Sequence, residues 1–232
     1  MNTNDRGFTL VELMIAMAVG LIVLAAVYAV FTVQNKQLAD QEQLAELHQN
    51  ARIAMEMMVR EISMAGYNQR SDDPTAAPVP RCTNALVAAG TSCVGITYAG
   101  SNTIKFKADL NGNGSITPDD PSDGDNADEN VAYDADLSLS IKSLRRNSKY
   151  TKSTSSYQPV VEYVHLLSFA YYDGATPPAP TANLANIRRV KITIVTRTAK
   201  EDPNYTDATY GGHYRYYTLS SFAFPRNLAL GN

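Results

Sequence analysis

Few residues in this 232-residue chain have the type and spacing for chemistry, and they fall in three places. Glu12 is a single carboxylate at the edge of a long apolar run, FTLVELMIAMAVGLIVLAAVYAVF. An acid in hydrocarbon costs several kcal/mol unless it is paired, so Glu12 demands a partner. The segment DLNGNGSITPDD follows the calcium-loop pattern D-x-[DN]-x-[DN]-G. Asp109, Asn111 and Asn113 would supply the first, third and fifth ligands, the Ser115 carbonyl the seventh, and Asp120 the twelfth, where a bidentate Glu is usual. Gly114 would make the sharp turn, Ile116 would anchor the loop, and Thr117 sits at the ninth place. With two amides and a short final acid, affinity should resemble that of extracellular modules, about 10⁻⁴–10⁻³ M. The same residues also read as an acidic, solvated hairpin loop with Asn-Gly turns; Asp123, Asp125, Asp128 and Glu129 add ligands or only charge. Cys82 and Cys93 are too few for a structural zinc, which takes four ligands. In an extracytoplasmic domain they read as a disulfide closing a small loop.

Elements to position these residues follow from periodicity. No charge occurs from Leu13 to Asn35, enough helix to cross about 30 Å of hydrocarbon. A secretory signal peptide would want a more basic leader and a shorter apolar run. Helical spacing continues through Leu44, Leu47, Ala51, Ala54 or Met55, Met58, Ile62 and Ala65, with Gly66 as the stop. One helix from Phe8 to Ala65 is expected, roughly 85 Å long, apolar all round at first and amphipathic later. Beyond it, GITYAG, NTIKFKADL, NVAYDADLSLSIKSL, PVVEYVHLLSFAYYDG, IRRVKITIVTRTA and YRYYTLSSFAF alternate like strands. Breaker-rich loops, GATPPAPTANLAN and KEDPNYTDATYGGH, separate some of them. The expectation is an α+β domain with an antiparallel sheet on the helix stripe.

Gly7 followed by FTLVELMIAMAVGLIVL resembles the processing signal of the type IV pilin family. The resemblance implies cleavage by prepilin peptidase between Gly7 and Phe8, N-methylation of Phe8, and an assembly role for Glu12. Glu12 would pair with the α-amino group of a neighbouring subunit's Phe8; the alternatives are its own N-terminus or lipid headgroups. The implied organisation is a leader over 1–7, a transmembrane and assembly helix over 8–35, an amphipathic helix over 36–66, and an extracytoplasmic β-rich domain over 67–232. The pilin fold is the implied architecture. The order of VHLLSFAYYDG, the Pro-rich loop, IRRVKITIVTRT and the tail SSFAFPRNLAL is similar to PilW-like minor pilins and the related J-type pseudopilins of type II secretion. J-type chains usually carry Trp near that loop, and this chain has none.

The implied function is initiating or capping a type IV pilus. Other minor pilins, the major pilin, the peptidase and the inner-membrane assembly platform are the implied partners. The N-terminus would be cytoplasmic and the domain periplasmic, then on the pilus. A pseudopilin, or a calcium-dependent tip module for adhesion or DNA uptake, is the alternative. Net charge −3 argues against nucleic acid as the main partner. His48, His165 and His213 are scattered; no Ser-His-Asp set, phosphate loop or HExxH motif occurs, and no enzymatic role is expected. His48 reads as exposed, His165 as structural. The tyrosines at AYYDG and YRYY read as core and sheet packing, and Arg145, Arg146, Arg188 and Arg189 as solvated strand ends.

Overall fold

A computed structural model describes residues 9–68, 80–91, 93–109, 129–136, 141–147 and 157–229. The helix α1 spans Leu10–Ser63. The chain divides into two compact units, Met1–Ala45 and Glu46–Asn232. In the first unit the described residues are one exposed turn and helix, with the apolar side chains from Leu10 to Val33 outward on every face. That is the surface of a helix meant for a non-aqueous or protein neighbourhood.

In the second unit α1 contributes one buried stripe: Leu47, Ala51, Ala54, Met55, Met58 and Ile62, followed by Ala65. Beyond it come α2 (Asn84–Ala88), β1 (Gly95–Ala99), β2 (Thr103–Lys107), β3 (Asn130–Asp136), β4 (Ser143–Asn147), β5 (Gln158–Glu162), β6 (Val164–Tyr172), a 3-10 turn at Leu184–Asn186, β7 (Arg189–Arg197), β8 (Tyr216–Ala223) and the short α3 (Arg226–Ala229). The fold is α+β, and the strands form two antiparallel sheets where one was expected: β1-β2-β3-β4-β5 and β6-β7-β8. NVAYDADLSLSIKSL contributes to two paired strands, β3 and β4. PVVEYVHLLSFAYYDG also divides, at Tyr163, whose φ of 58° is uncommon for a bulky residue and ends one sheet before the other begins. Both sheets and the helix stripe share one core, including Ile96, Ile104, Phe106, Val131, Leu144, Leu167, Phe169, Ile192 and Ile194. Each such side chain contributes about 1.5–3 kcal/mol on burial.

The helix is keyed to the first sheet by a buried charged group that periodicity does not reveal. Glu61 lies on the stripe, and its Oε2 accepts from the Tyr133 hydroxyl at 2.7 Å and from Arg146 Nε at 3.0 Å. Burial and the Glu61 charge push the Tyr133 hydroxyl far up, so it stays a donor. Burial opposes the Arg146 charge, but the Glu61 hydrogen bond and charge outweigh it and raise its pKa. Arg146 is thus no solvated strand end. Nor is Arg145, which grips Asp134 with Nε and Nη2 at 3.0 and 2.9 Å, reaches Asp136 at 2.6 Å, and lies over Tyr157.

A second lock closes the helix end. Gly66, at φ +81°, gives the left-handed stop, and its N–H bonds the Lys107 carbonyl. A Cβ there would meet Leu228 Cδ2 at 2.5 Å, and one on Gly95 would meet it at 2.8 Å. The C-terminal turn therefore packs into space that two glycines leave open. Arg81 Nη1 holds the Leu228 carbonyl at 2.9 Å.

Two expected outcomes follow. Glu61→Ala leaves Arg146 buried without its carboxylate and destabilises the chain by about 3 kcal/mol, but much less in an Arg146→Ala background. Leu228→Ala costs about 2–4 kcal/mol. Urea unfolding of the full chain in detergent, followed by tyrosine fluorescence, checks both.

Candidate functional site

The start of α1 is the centre of interest. Gly7 and Phe8 lie outside the described residues. Thr9 and Glu12 form a reciprocal cap: Glu12 N–H donates to Thr9 Oγ1 at 3.2 Å, while the Thr9 N–H and hydroxyl both donate to Glu12 Oε2 at 3.0 Å. This is a capping box, T-x-x-E, in which two groups orphaned at a helix start satisfy each other. The signal is present as Thr9-Leu10-Val11-Glu12, and the partners expected for Glu12, a neighbour's α-amino group, its own N-terminus or lipid headgroups, do not include Thr9. Oε1 of Glu12 carries no contact from the described residues, so the cap leaves half of the carboxylate for a further donor.

The rest of this segment presents surface. An 18-residue window of α1 has mean hydropathy 2.7 and is entirely unburied. Leu21, Ile22, Leu24 and Tyr28 are more than half exposed. A side chain at Gly20 would meet nothing within 4 Å. Helices associate in lipid by close packing and polar pairing, and in such a setting small residues such as Ala16, Ala18 and Gly20 would leave room for approach.

Cys82 and Cys93 are joined in a disulfide, with Cα atoms 4.9 Å apart. The closed loop holds α2, which the Pro- and Ala-rich composition did not announce. Thr83 starts it, its side chain accepting from Leu86 N–H. At the mouth of the loop Cys82 N–H bonds the Val94 carbonyl, and Val94 N–H the Pro80 carbonyl.

Of the calcium-pattern residues, Asn111, Asn113, Ser115 and Asp120 lie outside the described residues. Asp109 is fully buried and its N–H bonds the Tyr67 carbonyl. Glu129 is buried as well, and its carbonyl accepts from Ala108 N–H, so the two acids flank the base of the β2–β3 connection. Among the described residues no group of three or more His, Cys, Asp or Glu side chains could hold a metal.

The histidines are dispersed. His48 is exposed and rests on the Tyr217 ring at 4.3 Å. His165 is half-buried between Tyr210 and Tyr216, each 4.9 Å away. Burial first, then the Lys142 and Arg197 charges, lower its pKa. His213 lies on the exposed loop that Asp202 and Asp207 organise by accepting main-chain N–H groups. Tyr133 and Tyr171 are core residues, in line with the packing role expected of the tyrosines.

An exposed apolar helix that begins on a Thr9–Glu12 cap, in one chain with a disulfide-closed α+β head, defines a type IV pilin-like protein. Residues 2–28 match the prokaryotic N-terminal methylation motif. Residues 40–211 match prepilin peptidase-dependent protein B, and the chain belongs to that family. No curated protein sequence matches the chain. A type IV-like pilin from Thermus thermophilus is similar in structure, at 9% identity and a TM-score of 0.43, covering 79% of this chain and 98% of its own.

Replacing Cys82 and Cys93 by Ser should destabilise the head by about 2–3 kcal/mol, as a loop of this length implies. The same loss should follow reduction of the native chain, read as a shift in the urea midpoint.

Proposed function

We propose that this protein is a PilW-like minor pilin that primes or caps a type IV pilus. Prepilin peptidase would cut between Gly7 and Phe8, and Phe8 would be N-methylated. The apolar part of α1 would anchor the chain in the inner membrane, N-terminus inside and head in the periplasm, and would then pack among the helices of other minor pilins and the major pilin above the assembly platform. The disulfide supports an oxidising compartment for the head.

The observation that carries the reading is the state of Glu12. Its Oε2 is occupied by its own helix cap and its Oε1 is uncommitted among the described contacts. The cap lowers the cost of keeping the acid at an apolar helix start. The remaining oxygen suits the α-amino group of a second subunit. The role is structural; neither catalysis nor nucleic-acid binding is part of it.

Mass spectrometry of the mature N-terminus should find methylated Phe8. Glu12→Gln keeps one acceptor oxygen for the cap but loses the charge, and should lower incorporation into pili about five- to thirtyfold, the equivalent of about 1–2 kcal/mol of polar pairing in lipid, with Glu12→Asp intermediate. Wild-type incorporation of Glu12→Gln would sink the pairing. A J-type pseudopilin role would instead give secretion loss, with motility intact, on deletion.

Calcium at the Asp109–Asp120 loop is a second proposal, favoured by the buried carboxylates at its base. Millimolar calcium should raise the melting temperature of the wild type and leave that of Asp109→Ala unchanged.

A further inference from the structure

Among the described residues four strands are the edges of the two sheets, and three are blunted in ways natural sheets use. The β1 ladder shifts register between Ile96 and Tyr98, and β1 is preceded by the bridge of Val94 to Arg81. β5 contains Pro159 and faces a register shift in β4. β6 is shifted between Val164 and Leu166, and its N–H groups at Val164 and Phe169 already bond the Lys142 and Ser101 carbonyls. β8 differs. Its eight residues, YYTLSSFA, contain no charge, proline or glycine, and its ladder to β7 runs from Tyr216 to Ala223 without a shift. Alternate residues of an edge strand direct N–H and C=O groups away from the sheet. Among the described residues no further main-chain bond is made by Tyr217–Ala223.

At one end of this edge stands Arg189. The Arg189 guanidinium lies 5.5 Å from the Phe222 ring centroid and 5.2 Å from that of Phe224. Both rings are exposed, by 42% and 48%. Arg189 Nε is enclosed and has no hydrogen-bond partner. Among the described residues no carboxylate lies within ion-pairing distance of it, although Arg145, Arg146 and Arg215 all have one. A guanidinium fixed by rings and short of acceptors suits a carboxylate.

We propose that β8 is a docking edge for an extended polypeptide segment of another protein, added as a fourth strand to β6-β7-β8. The segment is uncharged along its length, apolar at alternate residues to cover the half-buried Tyr217 and Leu219, and carries a carboxylate at the Arg189 end. Main-chain bonds supply the affinity and the Arg189 pairing sets direction and register.

The test uses the full chain in detergent and three acetylated decapeptides alternating Thr and Val. One ends in a free carboxylate, one is amidated, and one is amidated after a final Asp. The free-carboxylate peptide, the Asp peptide or both should bind at least fivefold more tightly than the plain amide; which of the two does so tells a chain terminus from an acidic side chain. Arg189→Gln should remove that ratio while leaving binding of the plain amide. Of the neighbours Thr218 and Leu219, one directs its N–H outward; proline there should keep the circular dichroism and abolish binding. Amide exchange of Tyr216–Ala223 in the wild type should slow on binding, which reads the edge without any variant. The proposal is overturned by absence of binding at millimolar peptide, by a ratio that survives Arg189→Gln, or by binding without slowed exchange in β8.

Discussion

A carboxylate at the threshold of an apolar helix has to be given donors. Thr9 meets part of that requirement locally, by exchanging hydrogen bonds with Glu12 across the first turn. The cap ties one oxygen to its own backbone and holds the acid at a defined height on the helix. A flexible glutamate would carry the same charge with no fixed direction. The local interaction and the proposed intermolecular one are therefore complementary, since they use different oxygens of one group.

The head solves a related problem by a different route. A helix packed into a globular core must stop sliding along its sheet, because an apolar stripe of Ala and Met has little shape to resist a shift. Glu61 supplies the missing definition. Its carboxylate can meet the Tyr133 hydroxyl and the Arg146 guanidinium at one register only. Such buried ionic groups add modestly to net stability and more to uniqueness, an argument best attested for helix registers.

Much of this was legible in the sequence. The helix stripe, its glycine stop and the strand segments follow from periods of 3.6 and 2, and the prepilin-like start from Gly7, Glu12 and the apolar run. What was not legible shares a cause. Glu61 looks like an exposed face residue until Arg146, far along the chain, is known to face it. Arg145 and Arg146 look solvated for the same reason. The split at Tyr163 has no glycine or proline to announce it, because the positive φ falls on a tyrosine. The Thr9 cap is legible as the pattern T-x-x-E ahead of an apolar run.

The contact of Leu228 with Gly66 and Gly95 sets an order in time. The turn at Arg226–Ala229 completes a packing arrangement begun by the end of α1. Synthesis must therefore have passed Leu228 before the packing at the helix end can form. A product interrupted before Leu228 would leave an open seam at the helix base, so the fold itself distinguishes chains that contain this turn from those that lack it.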